Sequence, residues 1–585
     1  MEVNHYSKER NVQILLSLLK QYGINTVIAS PGSTNIQFVA SVQSDSFFKV
    51  YSAPDERSAA YMACGMAAET GEPVVLSCTG ATASRNYVSG LTEAYYRHLP
   101  VLAVTSTTAV SRVGNGIPQI IDRSSIQNDI AVFATLARTV KDKEDEAAVE
   151  LEINKALIAL TAPGGGPVHI NLETGYGSDF SVTQLPRARM IRRLGPEDKA
   201  PELPSGRIAV FVGSHRPWTE EATGLLDRFC EENDAVVLCD HTSNYQGRYR
   251  VQFALMATQP RLALSAEIKL LIQLGDISGD YAAHSKLHKV DEVWRVSPDG
   301  RVSDTFGHLT HVFAMSETAF LRRFVKDSGE CRSAFLQECK TLYGQLYGLI
   351  PEDLPFSNIW VAKTLSPRIP KGSAVHFGIL NSLRSWNFFP LPEGVTEFSN
   401  VGGFGIDGGL SSLLGASIAR PDKLFFGFIG DLAFFYDLNS LANRHVGTNV
   451  RILLVNNGKG TEFRHYNHLA AVFGKDADPY IAAAGHYGKQ SPNLVRHYAE
   501  DLGYQYITAS DKESFEAGLP EFLKEEKDKP VIFEVFTDSD NESNALYAIN
   551  HLLGEDPAKD SFKDKIKNIV GEKGVRIGKI ILGKE

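Results

Sequence analysis

Residues 423–460 read KLFFGFIGDLAFFYDLNSLANRHVGTNVRILLVNNGKG, and this stretch decides the fold. It contains two short apolar runs, and each run ends in polar residues, the first at Asp431 and the second at Asn456 and Asn457. Short apolar runs of this kind are typical of buried strands in a parallel sheet. Asp431 and Asn457 are 26 positions apart, which suits a strand, a crossover helix and a second strand. We therefore expect both polar side chains at the same edge of one sheet.

Apolar runs of similar length recur along the chain, and stretches with helical spacing separate them. This alternation predicts an α/β fold made of three doubly wound parallel-sheet domains. The expected domains span residues 1–185, 205–335 and 355–555, with a Pro-containing linker between the first two. The expected strands are residues 24–30, 74–78, 100–105 and 168–172 in the first domain, 207–213, 235–240, 268–275 and 292–297 in the second, and 374–377, 396–399, 424–430, 451–456 and 531–536 in the third.

The last part of the chain, residues 556–585, is expected to be a basic tail rather than part of a domain. Its spacing of apolar residues is compatible with a docked segment that has a solvated basic face. A lid over the active site and a contact with an anionic membrane are the alternatives.

The composition excludes several classes of protein. Of the 585 residues, 43% are hydrophobic and 22% are charged, which is ordinary for a soluble globular protein. The net charge of −10 argues against a general nucleic-acid binder. The first residues, MEVNHYSKER, lack the apolar core of a signal peptide, and no run of about 18 apolar residues occurs, so we expect a cytoplasmic protein without a membrane span. The six cysteines form no CxxC pair, which argues against structural zinc.

The polar residues that follow the two apolar runs have the chemistry of a metal site. A carboxylate, an amide oxygen and a nearby backbone carbonyl suit a hard cation such as Mg²⁺. A GD pair followed about 25 residues later by NN also resembles the signature of thiamine-diphosphate enzymes. The resemblance implies that Asp431 and Asn457 bind Mg²⁺ through their side chains and Lys459 through its backbone carbonyl, with Gly430 and Leu432 beside the cofactor. The alternative is that GD and NN are only turns at strand ends.

A third acidic candidate, Glu56, follows a strand-like run at residues 48–52 and opens a helix of small residues. In thiamine enzymes, a glutamate in this place hydrogen-bonds N1′ of the aminopyrimidine ring and so promotes removal of the proton from C2 of the thiazolium. The resemblance therefore implies that Glu56 is catalytic and contacts the cofactor. The alternative is an ordinary acidic residue, which the helix dipole favours in a first turn.

The resemblance extends over about residues 5–180 and 355–545. Six motifs occur in the order found in thiamine-diphosphate-dependent 2-oxo acid decarboxylases and carboligases: SPGSTN, DERSAAY, TGATASRNY, EAYYRHLPVLAVT, SNVGGFGIDGGLSS and GDLAFFYDLNSL. Within that family, the chain looks most like the menaquinone-pathway 2-succinyl-5-enolpyruvyl-6-hydroxy-3-cyclohexene-1-carboxylate synthases. The resemblance implies a pyrimidine-binding, a central and a diphosphate-binding domain. It also implies a homodimer or a dimer of dimers, with active sites between subunits.

The same resemblance assigns further residues. Ser399, Gly403, Phe404 and Ile406 match the loop that holds the cofactor in its bent shape, where one large apolar side chain supports the bend. Gln119, in the stretch IPQIIDR, matches a synthase glutamine that faces the reacting centre.

Two positions depart from the synthase pattern. Thr34 and Val401 stand where that pattern has arginines that contact the acidic substrates. Arginine binds carboxylates through two parallel charge-assisted hydrogen bonds, so neither replacement is conservative. We therefore expect a smaller 2-oxo acid such as pyruvate, or a different acceptor. The other substrate candidates are polar residues in or near strand-end loops: Arg85, Asn86, Arg384, Arg464 and His465.

The leading hypothesis is an enzyme that decarboxylates a 2-oxo acid and transfers the acyl group to an acceptor. A simple decarboxylase that releases an aldehyde and the menaquinone-pathway reaction itself are the alternatives within the family. A regulatory homologue that binds cofactor without turnover is a third class, which the presence of Glu56, Asp431 and Asn457 disfavours. The expected partners are thus small molecules and a second copy of the chain, with no nucleic acid and no membrane.

Overall fold

The computed structural model describes residues 3–554, except residues 124, 176, 263, 327–330, 487–490 and 527. The chain forms two compact units, the first made of Met1–Lys199 and Pro298–Ala314, the second of Ala200–Ser297 and Met315–Glu585. The basic tail expected at residues 556–585 lies outside the described residues.

The first unit is built on a six-stranded parallel sheet in the order β2-β1-β3-β4-β6-β5. Its elements are α1 (Arg10–Gln21), β1 (Thr26–Ala29), α2 (Ile36–Gln43), β2 (Lys49–Ser52), α3 (Glu56–Thr70), β3 (Val74–Cys78), α4 (Ala81–Asn86), α5 (Val88–Tyr96), β4 (Val101–Thr107), β5 (Phe133–Ala137), α6 (Lys143–Thr161) and β6 (Val168–Glu173). Alternate residues of β3 and β4 belong to two apolar clusters, one with α1 and α6 and the other with α3 and α5. Both faces of the sheet are therefore covered, which explains why its central strands are continuously apolar.

The central part of the chain adds a second set of parallel strands. Its elements are β7 (Arg192–Leu194), β8 (Arg207–Val212), α7 (Glu220–Asn233), β9 (Val236–Cys239), β10 (Arg250–Gln252), α8 (Ala254–Ala257), β11 (Ile268–Leu274), α9 (Tyr281–Leu287), β12 (Glu292–Val296), β13 (Leu309–Phe313), α10 (Glu317–Phe324) and α11 (Ala334–Gly348). Strands β8 to β12 lie in the second unit in the order β10-β9-β8-β11-β12. In the first unit, β13 pairs in parallel with β7, so the stretch expected to be a linker contains a strand.

The third set of elements forms another six-stranded parallel sheet, in the order β15-β14-β16-β17-β19-β18. They are α12 (Asn358–Leu365), β14 (Ala374–Phe377), α13 (Asn381–Asn387), β15 (Thr396–Ser399), α14 (Gly409–Ala419), β16 (Phe425–Gly430), α15 (Asp431–Tyr436), β17 (Val450–Asn456), α16 (Leu494–Asp501), β18 (Gln505–Ala509), α17 (Lys512–Leu523), β19 (Val531–Phe536) and α18 (Ser539–Asn550). The first and third sheets have the same strand order, a structural repeat that the sequence does not reveal. Equivalent loops therefore follow β1, β3 and β4 in one sheet and β14, β16 and β17 in the other, and ligands of such sheets bind at these carboxyl ends.

Within the second unit, buried polar groups connect the central strands to the third sheet. The Glu397 carboxylate on β15 accepts hydrogen bonds from Arg250 at 3.1 Å and from His241 at 3.0 Å. Burial raises the pKa of Glu397, but the charges of Arg250 and His241 outweigh burial and hold it below its usual range. The end of β15, where the loop with Ser399 begins, is thus fixed by an ion-paired network.

The predicted fold class, three parallel-sheet α/β domains, is confirmed. Strands β3, β14, β15 and β19 have the predicted bounds, and the other predicted strands differ by one or two residues at an end. Five strands were not predicted from the sequence: β5, β7, β10, β13 and β18. Strands β5 and β18 lie at sheet edges and are only half-buried, so neither forms a continuous apolar run.

Two smaller findings bear on the earlier expectations. All six cysteines are free thiols, and Cys331 alone among them is exposed. The described helices include none that is both long and apolar enough to span a membrane.

Candidate cofactor and metal site

Asp431 and Asn457 lie in two adjoining loops at the carboxyl end of the third sheet. Strands β16 and β17 pair in register from Phe425 with Val450 to Gly430 with Val455, so each strand ends close to its polar residue. The Gly458 N–H donates to Asp431 Oδ2 at 2.6 Å, which brings the two loops into direct contact. The crossover predicted from the 26-residue spacing thus places both motifs at one edge.

The electrostatic setting of Asp431 is that of a cation ligand. Its side chain is only 5% exposed, and its Oδ1 accepts the Leu432 N–H at 2.9 Å. Burial raises the pKa of Asp431 to about 7, and the groups that oppose this rise are the backbone N–H groups of Leu432, Gly458 and Lys459. A buried carboxylate that is stabilised by dipoles but not by an opposite full charge gains most from a bound cation.

Asn457 and Lys459 complete a set of oxygen ligands. Asn457 Oδ1 is buried and has no hydrogen-bond partner in the described part of the chain. The Lys459 ammonium is committed to Asp478 at 2.7 Å, so its backbone carbonyl is the group left for a metal. One carboxylate, one orphaned amide oxygen and one carbonyl fit Mg²⁺. The described residues include no group of three or more His, Cys, Asp or Glu that could hold a metal ion. The proposed ligand set contains only one such residue, Asp431, so it does not conflict with that finding.

The loop after β15 carries the residues expected beside the cofactor. Ser399 Oγ is buried without a partner among the described residues, whereas Gly403 is exposed and Ile406 is half-buried. Phe404 has a φ of 55°, a left-handed conformation that costs about 1–3 kcal/mol and that typically persists where function requires it. Its ring lies 5.7 Å from that of Tyr281.

Val401 is buried, whereas a residue that binds substrate would be accessible from the active site. The side chain is 3% exposed, and its Cγ1 lies 3.0 Å from the position that a Cβ on Gly279 would occupy. An arginine at position 401 would therefore need the loop or the Gly279 segment to move.

In the first unit, Glu56 is the first residue of α3 and is half-buried. The helix begins there because the Asp55 carboxylate accepts the Ser58 N–H at 2.7 Å, an N-cap bond. Asn86 Nδ2, at the end of α4, donates to Glu56 Oε2 at 3.0 Å. The structure thus brings together the predicted catalytic carboxylate and one predicted substrate residue, and Asn86 orients the carboxylate.

Thr34 and Gln119 lie in loops at the carboxyl end of the first sheet. Thr34 Oγ1 is 2.5 Å from Thr79 Oγ1 and accepts the Gly80 N–H at 3.2 Å, so its hydroxyl joins the loops after β1 and β3. Gln119 is exposed and has a φ of 67°, another left-handed non-glycine conformation.

The charged substrate candidates each have a partner within their own unit. Arg384 donates to both oxygens of Glu462, at 2.8 and 2.9 Å. Arg464 Nη1 donates to Asp478 Oδ1 at 2.6 Å. Arg85 donates to the Asp122 carbonyl at 3.0 Å and remains exposed.

His465 is also engaged. Its Nε2 lies 2.7 Å from Asn381 Oδ1, and burial lowers the pKa of His465 to about 4. Because a carboxamide oxygen only accepts, Nε2 carries the proton and the ring is neutral at physiological pH. The contacts of Arg384 and His465 connect α13 to the loop after the metal motif, so these two side chains are already engaged within the protein.

Two buried carboxyl groups near this network escaped the sequence analysis. Glu542, on α18, accepts the Asn358 N–H at 3.0 Å, and burial raises the pKa of Glu542 to about 7. Burial also raises the pKa of Asp280 to about 6, and its Oδ2 has no partner among the described residues. Asp280, Arg384 and Glu462 line a cavity of about 290 Å³. No local pattern marks Glu542, whereas Asp280 had a weak signal as an N-cap residue two positions before an alanine pair.

Comparison with known proteins identifies both terminal domains. Residues 10–126 match the thiamine pyrophosphate enzyme N-terminal TPP binding domain, and residues 383–535 match the thiamine pyrophosphate enzyme C-terminal TPP binding domain. Glu56 and Gln119 fall in the first match, and Asp431, Asn457 and Lys459 fall in the second.

Several relatives resemble the chain over nearly its whole length. A 2-succinyl-5-enolpyruvyl-6-hydroxy-3-cyclohexene-1-carboxylate synthase of Phocaeicola vulgatus is 28% identical over 94% of this chain and 99% of its own. The synthase of the same name from Bacteroides thetaiotaomicron is 29% identical over the same shares. Among solved structures, a Rhodococcus jostii thiamine diphosphate-dependent 4-hydroxybenzoylformate decarboxylase is 16% identical, with a TM-score of 0.37 over 90% of this chain and 99% of that one. By its two terminal domains, the chain is similar to the thiamine pyrophosphate enzymes.

Proposed function

We propose that this protein is a thiamine diphosphate- and Mg²⁺-dependent enzyme that decarboxylates a 2-oxo acid and transfers the acyl group to an acceptor. One observation carries the proposal: the buried carboxylate of Asp431 adjoins the loop in which Asn457 has an amide oxygen without a partner. A degenerate, regulatory homologue has no reason to keep such a costly arrangement.

The site residues have two kinds of role, binding of the metal and cofactor and transfer of a proton. Asp431, Asn457 and the Lys459 carbonyl would hold Mg²⁺, and the loop from Ser399 to Ile406 would hold the cofactor. When bound, thiamine diphosphate would supply a nucleophilic carbon and a sink for the electron pair that decarboxylation releases. Glu56 would exchange a proton with the cofactor's pyrimidine ring, and Asn86 Nδ2, which donates to Glu56 Oε2 at 3.0 Å, would keep the carboxylate oriented for this.

Exposed apolar side chains of the first unit favour a second copy of the chain as a partner. Helix α3 exposes Tyr61 and Met62, at 48% and 42%, and edge strand β2 exposes Val50 and Tyr51, at 37% and 45%. Exposed aromatic and apolar side chains are enriched at protein interfaces. A homodimer, or a dimer of such dimers, would cover these side chains.

The substrate proposal follows from the two missing arginines. Thr34 joins two loops through its hydroxyl, and Val401 is buried against Gly279, so neither position offers a cation to a dianionic substrate. A 2-oxo acid with a single carboxylate, such as pyruvate, fits these positions better. The second candidate is the reaction named for the relatives, which their match over 94% of this chain favours.

The test is to incubate the protein with thiamine diphosphate, Mg²⁺ and a panel of 2-oxo acids that includes pyruvate and 2-oxoglutarate, with and without acceptors. We expect CO₂ release that requires both cofactor and metal. Glu56→Gln should lower turnover by about 10²–10⁴-fold without loss of cofactor binding. Glu69→Gln, which changes an exposed carboxylate of the same helix, is the matched control.

Each outcome bears on a different part of the proposal. Turnover without cofactor, or unchanged turnover in Glu56→Gln, would refute the proposed chemistry. Aldehyde as the sole product in every mixture would leave a simple decarboxylase. Efficient use of 2-oxoglutarate with isochorismate would establish the second candidate.

A further inference from the structure

Arg123 is a buried cation without an ionic partner. It follows Gln119 in the stretch IPQIIDR and is only 8% exposed. Its Nη2 donates to the Ser106 carbonyl at 2.7 Å, but its Nη1 has no hydrogen-bond partner in the part of the chain that the structure describes. A buried guanidinium that keeps its charge with one neutral acceptor is unfavourable unless an anion joins it.

The groups around Arg123 do not supply that anion. Two groups act electrostatically on Arg123. Cys78 is a buried thiol whose pKa burial raises to about 12, so it is neutral. Arg85 is a cation and donates to the Asp122 carbonyl. Burial lowers the pKa of His169 to about 3, and the charges of Arg123 and Arg85 act in the same direction, so His169 is neutral. Arg85, Arg123 and His169 line a cavity of about 20 Å³, which has room for one carboxylate oxygen.

This cavity adjoins the residues assigned to the reaction. A Cβ built on Gly80 would lie 3.7 Å from Arg123 Nη2 and 4.0 Å from the Gln119 carbonyl. Gly80 is also the residue whose N–H binds Thr34. It directly precedes α4, the helix that ends in Asn86, the partner of Glu56. Arg123 therefore lies beneath the segment that connects Thr34 to the catalytic carboxylate.

We propose that Arg123, with Arg85 at the rim, is a carboxylate-binding subsite of this enzyme. The inference rests on the proposed function and names the group that it recognises. It also explains how a chain with threonine at position 34 still offers a guanidinium beside Gly80 and Gln119, from the loop after β4 instead of the loop after β1. The carboxylate belongs to the 2-oxo acid or to the acceptor, and either one would present a carboxylate oxygen to the unpaired Arg123 Nη1.

The experiment measures binding of unreactive probes to the protein loaded with thiamine diphosphate and Mg²⁺. Oxamate has the shape of a small 2-oxo acid, and benzoate is a ring carboxylate of the acceptor type. Their amides, oxamide and benzamide, have the same shapes without the charge. By calorimetry, we expect Arg123→Gln to weaken binding of at least one carboxylate by about 10- to 100-fold and to leave the amides unaffected. The carboxylate affected identifies the source.

Three further variants make the test specific. Arg123→Lys keeps the charge but loses the fork, so we expect an intermediate affinity. Arg85→Gln changes an exposed side chain, so it should fold normally and weaken carboxylate binding by a smaller factor. Arg138→Gln removes an exposed arginine of the same unit and should bind as the wild type does.

The results that would overturn the subsite differ from those that would overturn the proposed function. Equal carboxylate affinities in wild type and Arg123→Gln, no carboxylate binding by the wild type at millimolar concentration, or equal losses for acids and amides would overturn the subsite. If Arg123→Gln cannot be loaded with cofactor, Arg85→Gln and Arg123→Lys decide by the same criteria. Failure of the wild type to bind thiamine diphosphate would refute the proposed function itself.

Discussion

Replacing Asp431 with asparagine should stabilise the metal-free protein at alkaline pH. Burial raises the pKa of Asp431 from 3.8 to about 7. At about 1.36 kcal/mol per pH unit, keeping this carboxylate charged in the folded state costs about 4 kcal/mol above pH 7. Asparagine avoids that cost. Its NH₂ group cannot accept one of the two N–H bonds now made by Leu432 and Gly458, a loss of about 1–3 kcal/mol. The net gain at pH 8 is therefore about 1–3 kcal/mol.

The sign of the pH dependence follows from the direction of the pKa shift. Because folding raises the pKa of Asp431, the folded wild type prefers the protonated form, and this contribution to stability is lost as the pH rises from about 4 to about 7. Asparagine does not titrate. The advantage of Asp431→Asn should therefore shrink by about 2–3 kcal/mol between pH 8 and pH 5.

The assay is urea unfolding in EDTA at both pH values, followed by tryptophan fluorescence. All four tryptophans lie in the second unit, so the signal reports the unit that contains Asp431. Asp476→Asn, at an exposed position of the same unit, is the control and should change the free energy of unfolding by less than about 0.5 kcal/mol at either pH. A loss of stability in Asp431→Asn that is equal at pH 8 and pH 5 would refute the reasoning.

Two further predictions concern the first unit. Asn86→Ala should lower kcat by about 10-fold and leave cofactor affinity unchanged, because the 3.0 Å hydrogen bond that orients Glu56 is lost. Ser89→Ala, at an exposed position nearby, is the control. An unchanged kcat in Asn86→Ala would contradict the role of Asn86. Tyr61→Asp should weaken self-association, measured by light scattering, by about 30-fold, as expected for an aromatic residue in an interface core. Tyr480→Asp, at a position that is 93% exposed, should leave self-association unchanged. Equal oligomeric states for both variants would rule out the proposed interface.

Much of the fold was predictable because the central strands of its parallel sheets are buried on both faces. Strand β3 is apolar along nearly its whole length, so both its position and its bounds follow from composition. Edge strands such as β5 and β18 face solvent on one side and alternate irregularly, which removes that signal. The repeat of strand order between the first and third sheets is a property of topology and leaves no trace in residue identity.

The candidate site was predictable where its chemistry is local to a strand end. Asp431 and Asn457 each follow an apolar strand, so their convergence follows from the spacing. The partners of Arg384, Arg464 and His465 are set by tertiary contacts, and sequence alone does not reveal that each side chain is already engaged. The burial of Arg123 is likewise a tertiary property, although the residue stands within a stretch that already contains Gln119.

Titration of thiamine diphosphate into the wild type and into Asp431→Asn, each with Mg²⁺ and with EDTA, tests the central claim most directly. The account predicts binding of one cofactor per chain to the wild type with Mg²⁺, and no measurable binding in EDTA or to the folded variant. Equal affinity with and without Mg²⁺, or equal affinity of Asp431→Asn and the wild type, would contradict it.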